Sequence, residues 1–253
     1  MSIIRNADDF GKSEDVNKAI MTCFKEGYID RTTLMVNMPY ADDAVSEAKR
    51  EGFSDKIGIH LNLTEGMPLT EGIKQNPLFC GPDGRFHALF CKSTKYRLYM
   101  DNLSRDQIYQ ELSAQLKKYS DYGLSLFHVD SHHHVHTNLP IFLALKSLAK
   151  EYDFSSVRLS RNLFHGGNGV MKIYKGIYNA RVKRICKSVT DYFGSYIDIK
   201  EYDSNEGLTE LVRKKTVEVM LHPMYKDGRL MDTDTPMEEV NEKISIIKQN
   251  LGY

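Results

Sequence analysis

Apolar positions along the chain fall into short runs separated by stretches in which they recur every three or four residues. That is the alternation of a chain that lays down a strand and returns over it with a helix. Ile3-Ile4 opens a first strand that runs into Asn6-Ala7-Asp8-Asp9-Phe10-Gly11, where Gly11 supplies a turn. Ser13 reads as a helix cap, with Glu14 and Asp15 in the first turn and Val16, Ile20, Cys23 and Phe24 inward until Gly27 stops the helix. Residues 32–36 predict a second strand and residues 41–50 a second helix, with Ala44, Val45 and Ala48 inward. Residues 57–63 predict a third strand, whose alternation puts His60 and Asn62 on the face opposite Ile59 and Leu61.

From residue 64 to 103 periodicity lapses. Pro68, Pro77, the turn signal Gly81-Pro82-Asp83-Gly84 and the aromatics Phe79, Phe86, Phe90, Tyr96 and Tyr99 predict an excursion from the core. It is either a plain surface insertion or a segment that shapes substrate choice. Lys92, Lys95 and Arg97 read as a solvated face, and His87 as a loop residue. Order returns at Ser104, which with Gln107 forms a capping box ahead of Ile108, Leu112, Leu116 and Tyr119 on one helical face. The run Leu124-Ser125-Leu126-Phe127 then leads into His128-Val129-Asp130-Ser131-His132-His133-His134-Val135-His136.

Residues 140–152 predict another helix and residues 156–160 a short strand containing Arg158. Residues 161–190 are mixed. The turn His165-Gly166-Gly167-Asn168-Gly169 lacks the spacing of a phosphate loop, and a basic helix follows it. Residues 217–221 read as a late strand that ends in His222-Pro223. Thr235-Pro236-Met237-Glu238 reads as the capped start of a last helix, with Val240, Ile244, Ile247 and Leu251 inward.

About six or seven strand–helix units occur with no break resembling a linker, so residues 1–253 read as a single α/β domain with a parallel sheet. Asp8, Asp9, His60, Asp130, His132, Arg158 and His222 all fall at or just past the C-terminal ends of different strands. In a (β/α) barrel those ends ring one mouth, whereas an open sheet gathers its site at one switch point. The expected fold is an irregular (β/α) barrel of about seven strands.

Charge narrows the partners. Lys plus Arg and Asp plus Glu are equal at 34 each, which recommends neither nucleic acid nor an anionic membrane as partner. The beginning of the sequence has no leader-like apolar region and no run reaches bilayer length, so a cytoplasmic protein is expected. Cys23, Cys80, Cys91 and Cys186 are scattered, as reduced thiols would be.

Five of the nine histidines lie between positions 128 and 136, beside an aspartate and after an apolar run, a constellation suited to a cation. Singly, each could cap a strand or bond a backbone carbonyl. Three blocks, residues 6–11, residues 58–64 and residues 128–136, resemble the signature blocks of the YdjC-like carbohydrate deacetylases; Thr64-Glu65-Gly66-Met67-Pro68-Leu69 and Leu221-His222-Pro223 fit more loosely. The resemblance implies a metal-dependent barrel related to the NodB-type polysaccharide deacetylases, usually a homodimer, that removes an acetyl group from an N-acetylated sugar with magnesium or a similar divalent ion. It further implies Asp9, His60 and His132 as metal ligands and Asp8 as the catalytic base.

Such a ligand set leaves coordination positions open for water and substrate, as a catalytic ion requires. Two imidazoles suit Zn2+, Co2+ or Ni2+ as well as Mg2+, which prefers oxygen. His222, at the end of a late strand and away from the histidine cluster, is the candidate acid for the departing amine. Arg158 is a candidate partner that holds Asp8 ionised, or a plain surface or interface salt bridge. Asp130 could accept a ring N–H from a ligand histidine; His128, His134 and His136 are further outer partners or alternative ligands, and Asp8 and Asp9 could exchange roles. Rival readings are a metal-dependent phosphoesterase and a non-catalytic sugar-binding or regulatory protein.

Overall fold

The computed structural model describes residues 2–163, 169–201 and 205–250. Seven parallel strands form the central sheet: β1 (Ile3–Phe10), β2 (Arg31–Leu34), β3 (Ile57–Leu61), β4 (His128–Ser131), β5 (Ser156–Val157), β6 (Tyr192–Ser195) and β7 (Val217–Leu221). Their order, β5-β4-β3-β2-β1-β7-β6, is that of a barrel cut between β5 and β6. At this seam an isolated bridge joins Ser156 to Ser188. Single backbone bonds complete it: Ser188 N–H donates to Ser155 C=O at 3.0 Å, and the Asn162 and Leu163 N–H groups donate to Phe193 C=O at 3.0 and 3.1 Å. The fold is an irregular (β/α) barrel, in agreement with the spread of polar residues over several strand ends.

The helices are α1 (Glu14–Lys25), α2 (Ala41–Glu51), α3 (Glu71–Lys74), α4 (Thr94–Leu98), α5 (Asn102–Asp121), α6 (Leu139–Leu148), α7 (Gly169–Val182), α8 (Tyr196–Glu201), α9 (Asn205–Lys214) and α10 (Met237–Gln249). Ser13 caps α1 as its sequence implies, its Oγ accepting from Val16 N–H at 3.3 Å. The expected face of α5 is buried: Ile108, Leu112, Leu116 and Tyr119 all lie in the core. Burial of one such leucine contributes about 1.5–3 kcal/mol.

Two helix starts differ from expectation. Asp101, not Ser104, caps α5: its carboxylate accepts from Ser104 N–H and Oγ, both at 2.9 Å. A carboxylate is the better acceptor at the positive end of the helix, and Gln107 is left free to bond Asn76 and the Gly72 carbonyl instead. The last helix starts at Met237 without a side-chain cap, because Thr235 and Pro236 pair with Asp232 and Met231 as a strand. That strand, β10 (Thr235–Pro236), belongs with β8 (Pro223–Lys226) and β9 (Arg229–Asp232) to a small antiparallel sheet that was not among the expected elements.

The excursion is more than a surface insertion. Ile73, Phe79, Cys80, Phe86, Phe90 and Met100 are buried in it. Buried Glu111 of α5 ties down its start by accepting from Leu69 N–H at 3.0 Å and from Thr70 N–H and Oγ at 2.8 and 2.7 Å. Among the described residues no helix is long and apolar enough to cross a membrane.

Candidate active site

The first strand delivers two adjacent carboxylates to the barrel mouth. Alternation in a strand would send them to opposite faces. The β1–β2 register instead shifts between Ala7 and Phe10, and Asp9 takes a left-handed backbone conformation, φ 69°. Asp9 is thus a bulge in β1, and the turn expected on Phe10-Gly11 follows it, Lys12 N–H donating to Asp9 C=O at 3.1 Å. Both carboxylates come to lie against His60.

His60 on β3 is buried beside β4, and the two strands approach closely because Gly58 has no side chain: a Cβ there would meet the His128 carbonyl oxygen at 2.7 Å. The Nδ1 of His60 lies 2.7 Å from Asp130 Oδ1, while its Nε2 lies 3.2 Å from Asp9 Oδ1. His132 follows β4 and is turned the other way: Nδ1 is 2.8 Å from Asp9 Oδ1 and Nε2 is 3.0 Å from Glu65 Oε2. Burial opposes a proton on His60, but Asp130 and Asp9 overcome it and push its pKa up to about 10. His133 and His134 continue the turn with φ 52° and 53°. Three of the five non-glycine residues with positive φ among the described residues thus sit at this mouth, and backbone strain tends to gather at functional sites.

Behind the mouth lies an ionic core. Arg158, fully buried just past β5, donates to both oxygens of Asp8 at 2.6 and 2.7 Å and to Glu218 Oε1 at 2.7 Å, and lies 2.8 Å from Asp130 Oδ2. It is neither a surface pair nor an interface pair. Glu218 of β7 pairs on its other side with Arg31 at 2.9 Å. Burial alone would raise the Asp8 and Glu218 pKa values; the Arg158 charge outweighs it and holds both carboxyls well below the usual range. Asn6 Nδ2 adds a bond to Asp8 Oδ1 at 2.8 Å.

The remaining histidines separate by environment. His128, at the start of β4, bonds Ser156 Oγ at 2.7 Å and contacts Arg31 at 3.2 Å, among the ionic core rather than around Asp9. His136 Nδ1 bonds Ser131 Oγ at 2.5 Å, and its ring packs against Tyr178. His134 faces Phe193; burial, then Arg158, lowers its pKa to about 4. His222 is partly buried at the end of β7, where its backbone N–H donates to Asp232 Oδ1 at 2.7 Å and its ring is within electrostatic reach of Asp8. His87 is a loop residue, while residues 165–168 of the glycine-rich turn lie outside the described residues and its last residue, Gly169, opens α7. Glu65, Glu218 and Arg31 are contributors that sequence reasoning gave no role.

Among the described residues, three side-chain triples have the spacing of a metal site: Asp9–His60–His132, Asp8–His60–Asp130 and His128–Asp130–Glu218. In the second and third, the carboxylates are already committed to Arg158. In the first, Asp9 Oδ1 is buried between two ring nitrogens, His132 Nδ1 at 2.8 Å and His60 Nε2 at 3.2 Å, neither of them aligned for a good hydrogen bond to it. An orphaned buried acceptor costs about 1–3 kcal/mol, more when charged, and a cation removes that cost. The charge balance agrees. Four buried carboxylates, Asp8, Asp9, Asp130 and Glu218, face two guanidiniums, Arg158 and Arg31. With the Lys12–Glu65 pair beside Asp9 cancelling and the imidazoles neutral, as metal ligands must be, two negative charges remain, the complement of a divalent ion. One carboxylate and two imidazoles fit zinc, cobalt or nickel most readily, and magnesium less so.

A family model described as YdjC-like protein matches residues 2–246. The carbohydrate deacetylase of Halalkalibacterium halodurans is 33% identical over 244 residues, covering 94% of this chain and 91% of that protein. The carbohydrate deacetylase of Thermoanaerobacter pseudethanolicus is 31% identical over 255 residues, covering 99% and 93%. Among solved structures, an Enterococcus faecalis V583 protein named for cellobiose-phosphate cleavage shares the fold with a TM-score of 0.68 at 23% identity, over 99% of this chain and 92% of that one.

Proposed function

Because the chain belongs to the YdjC-like family, and so to the carbohydrate deacetylases, hydrolases of amide bonds, we propose that it removes the N-acetyl group from an acetylated sugar or short chitooligosaccharide-like chain. The observation that carries this reading is the orphaned Asp9 Oδ1 between His60 and His132, with an Arg158-bound Asp8 beside it. Asp9, His60 and His132 would hold a divalent ion, which when bound would supply the Lewis acidity that acidifies water and polarises the acetyl carbonyl. Arg158 keeps Asp8 ionised and fixed by two bonds, so that one carboxylate oxygen direction is set for taking the proton of the attacking water. His222, its backbone N–H held by Asp232, donates its own ring proton to the departing sugar amine and regains one from solvent.

The ion is magnesium by family resemblance and zinc, cobalt or nickel by ligand chemistry. The working state is a homodimer, to which the exposed Val170, Ile173 and Ile177 on one side of α7 offer an apolar face. Its compartment is the cytoplasm, a reducing environment in keeping with four free cysteines.

The test is acetate release from N,N'-diacetylchitobiose and related N-acetylated oligosaccharides by metal-stripped protein resupplied with each ion in turn. Ion-dependent release is expected. In Asp8→Asn, release falls by roughly 10²–10⁴ while ion binding persists. An Asp8→Asn enzyme as fast as the wild type removes Asp8 as the base; tight ion binding without acetate release from any acceptor favours a non-catalytic sugar-binding protein.

A further inference from the structure

We infer that Glu65 is a positioning residue that fixes the ring of His132 for the ion, as Asp130 fixes that of His60; the inference rests on the metal-dependent reading above. The two imidazoles are held in opposite senses. His60 gives Nδ1 to Asp130 Oδ1 at 2.7 Å and turns Nε2 toward Asp9. His132 gives Nε2 to Glu65 Oε2 at 3.0 Å and turns Nδ1 toward Asp9. In each ring the nitrogen far from Asp9 is bonded to a carboxylate, the arrangement that selects a tautomer and leaves the near nitrogen with its lone pair for a metal.

Glu65 is itself held from two directions. Its carbonyl accepts from Asn62 Nδ2 at 2.6 Å and from Asn37 Nδ2 at 3.2 Å, and its N–H donates to Asn62 Oδ1 at 3.1 Å. Its carboxylate also binds Lys12 Nζ at 2.9 Å, and that ammonium lies 3.5 Å from Asp9 Oδ2. Lys12 therefore ties the ring-orienting carboxylate to the ligand carboxylate, across the start of the excursion. Asp130 is fully buried and shared with Arg158, so a change there disrupts the ionic core. The Glu65 side chain is 40% exposed, so it can be altered while the barrel stays folded.

Ion affinity decides the matter, measured by calorimetric titration of the metal-stripped protein with Zn2+. Glu65→Ala is expected to weaken binding by about 10–100-fold. Glu65→Gln, whose amide oxygen can accept the same ring N–H, should recover most of that loss, and Glu71→Ala, in the same excursion with a side chain 78% exposed, should bind as the wild type does. Long-range nitrogen–proton spectra of the Zn2+-loaded wild type should place the remaining His132 proton on Nε2 and that of His60 on Nδ1. Affinity within twofold of wild type in Glu65→Ala, a Glu65→Gln variant as weak as Glu65→Ala, or a His132 proton on Nδ1 each overturns the assignment and leaves the deacetylase reading intact. A wild-type protein that takes up no divalent ion overturns both.

Discussion

The two faces of the barrel wall are built from opposite materials. Toward the helices, Ala7, Ile59, Leu61, Val129, Val217, Val219 and Leu221 are buried with α5 and α10 residues such as Leu112, Leu116, Val240 and Ile244. Toward the axis, Asn6, Asp8, Thr33, His60, Asp130, Arg158 and Glu218 are just as buried but joined by charge and hydrogen bonds. Area removed from water makes the outer face stabilising. A buried ionic network returns little net stability, since desolvation consumes most of its attraction. The difference teaches that the outer layer holds the fold, while the inner one fixes where charges stand.

Breaking the inner face should give the largest effect. Arg158→Met leaves Asp8, Asp130 and Glu218 without their shared cation. A loss of about 3–5 kcal/mol in urea unfolding is expected, with acetate release down by roughly 10²–10⁴ per folded molecule. Breaking the outer face should cost stability alone: Leu112→Ala is expected to lose about 2–5 kcal/mol, with acetate release per folded molecule unchanged. A Leu112→Ala enzyme slowed as much as Arg158→Met would erase the distinction.

Acid sharpens the contrast further. Asp8 and Glu218 have folded pKa values below their ordinary 3.8 and 4.5, so the stability they contribute is present above that range and lost as pH falls through the folded values. The midpoint of thermal unfolding should therefore drop more steeply below about pH 4.5 in the wild type than in Arg158→Met, where the depression is relieved. The smallest effect belongs to the solvent side. Lys117→Ala, which removes the exposed Lys117–Asp121 pair of α5, should leave both the unfolding midpoint and the acid profile close to those of the wild type.

What could be read from sequence follows the same division. β1, β3 and β4 were legible because each ends an apolar run on acids or histidines, and those ends became the mouth. Glu218 was not, although the strand around it was: alternation in Val217-Glu218-Val219 marks a polar face without saying that the face looks into a closed barrel. Arg158 was legible as a possible partner of Asp8, although the strand expected over residues 156–160 is only Ser156–Val157 and Arg158 lies just past it. β6 escaped because its pairing is set by a distant partner, whereas the small sheet after His222 had a cue that went unread, the Asp227-Gly228 pair that turns β8 into β9. Glu65 carried one cue, its place directly after the His60 strand, but sequence could not show which ring it would meet.

Asp9 carries a last consequence, for how much the chain can vary there. Its left-handed backbone admits Gly, Asn, Asp and His far more readily than other residues. Its side chain is flanked by two ring nitrogens, and on the proposed ligand role it must bring a carboxylate to that spot. Asp is the one residue common to both vocabularies, since Glu meets the chemical demand and fails the conformational one while Asn does the reverse. Position 9 thus has an alphabet of a single letter, whereas at Asp8, in ordinary extended backbone, only the chemistry restricts the spelling.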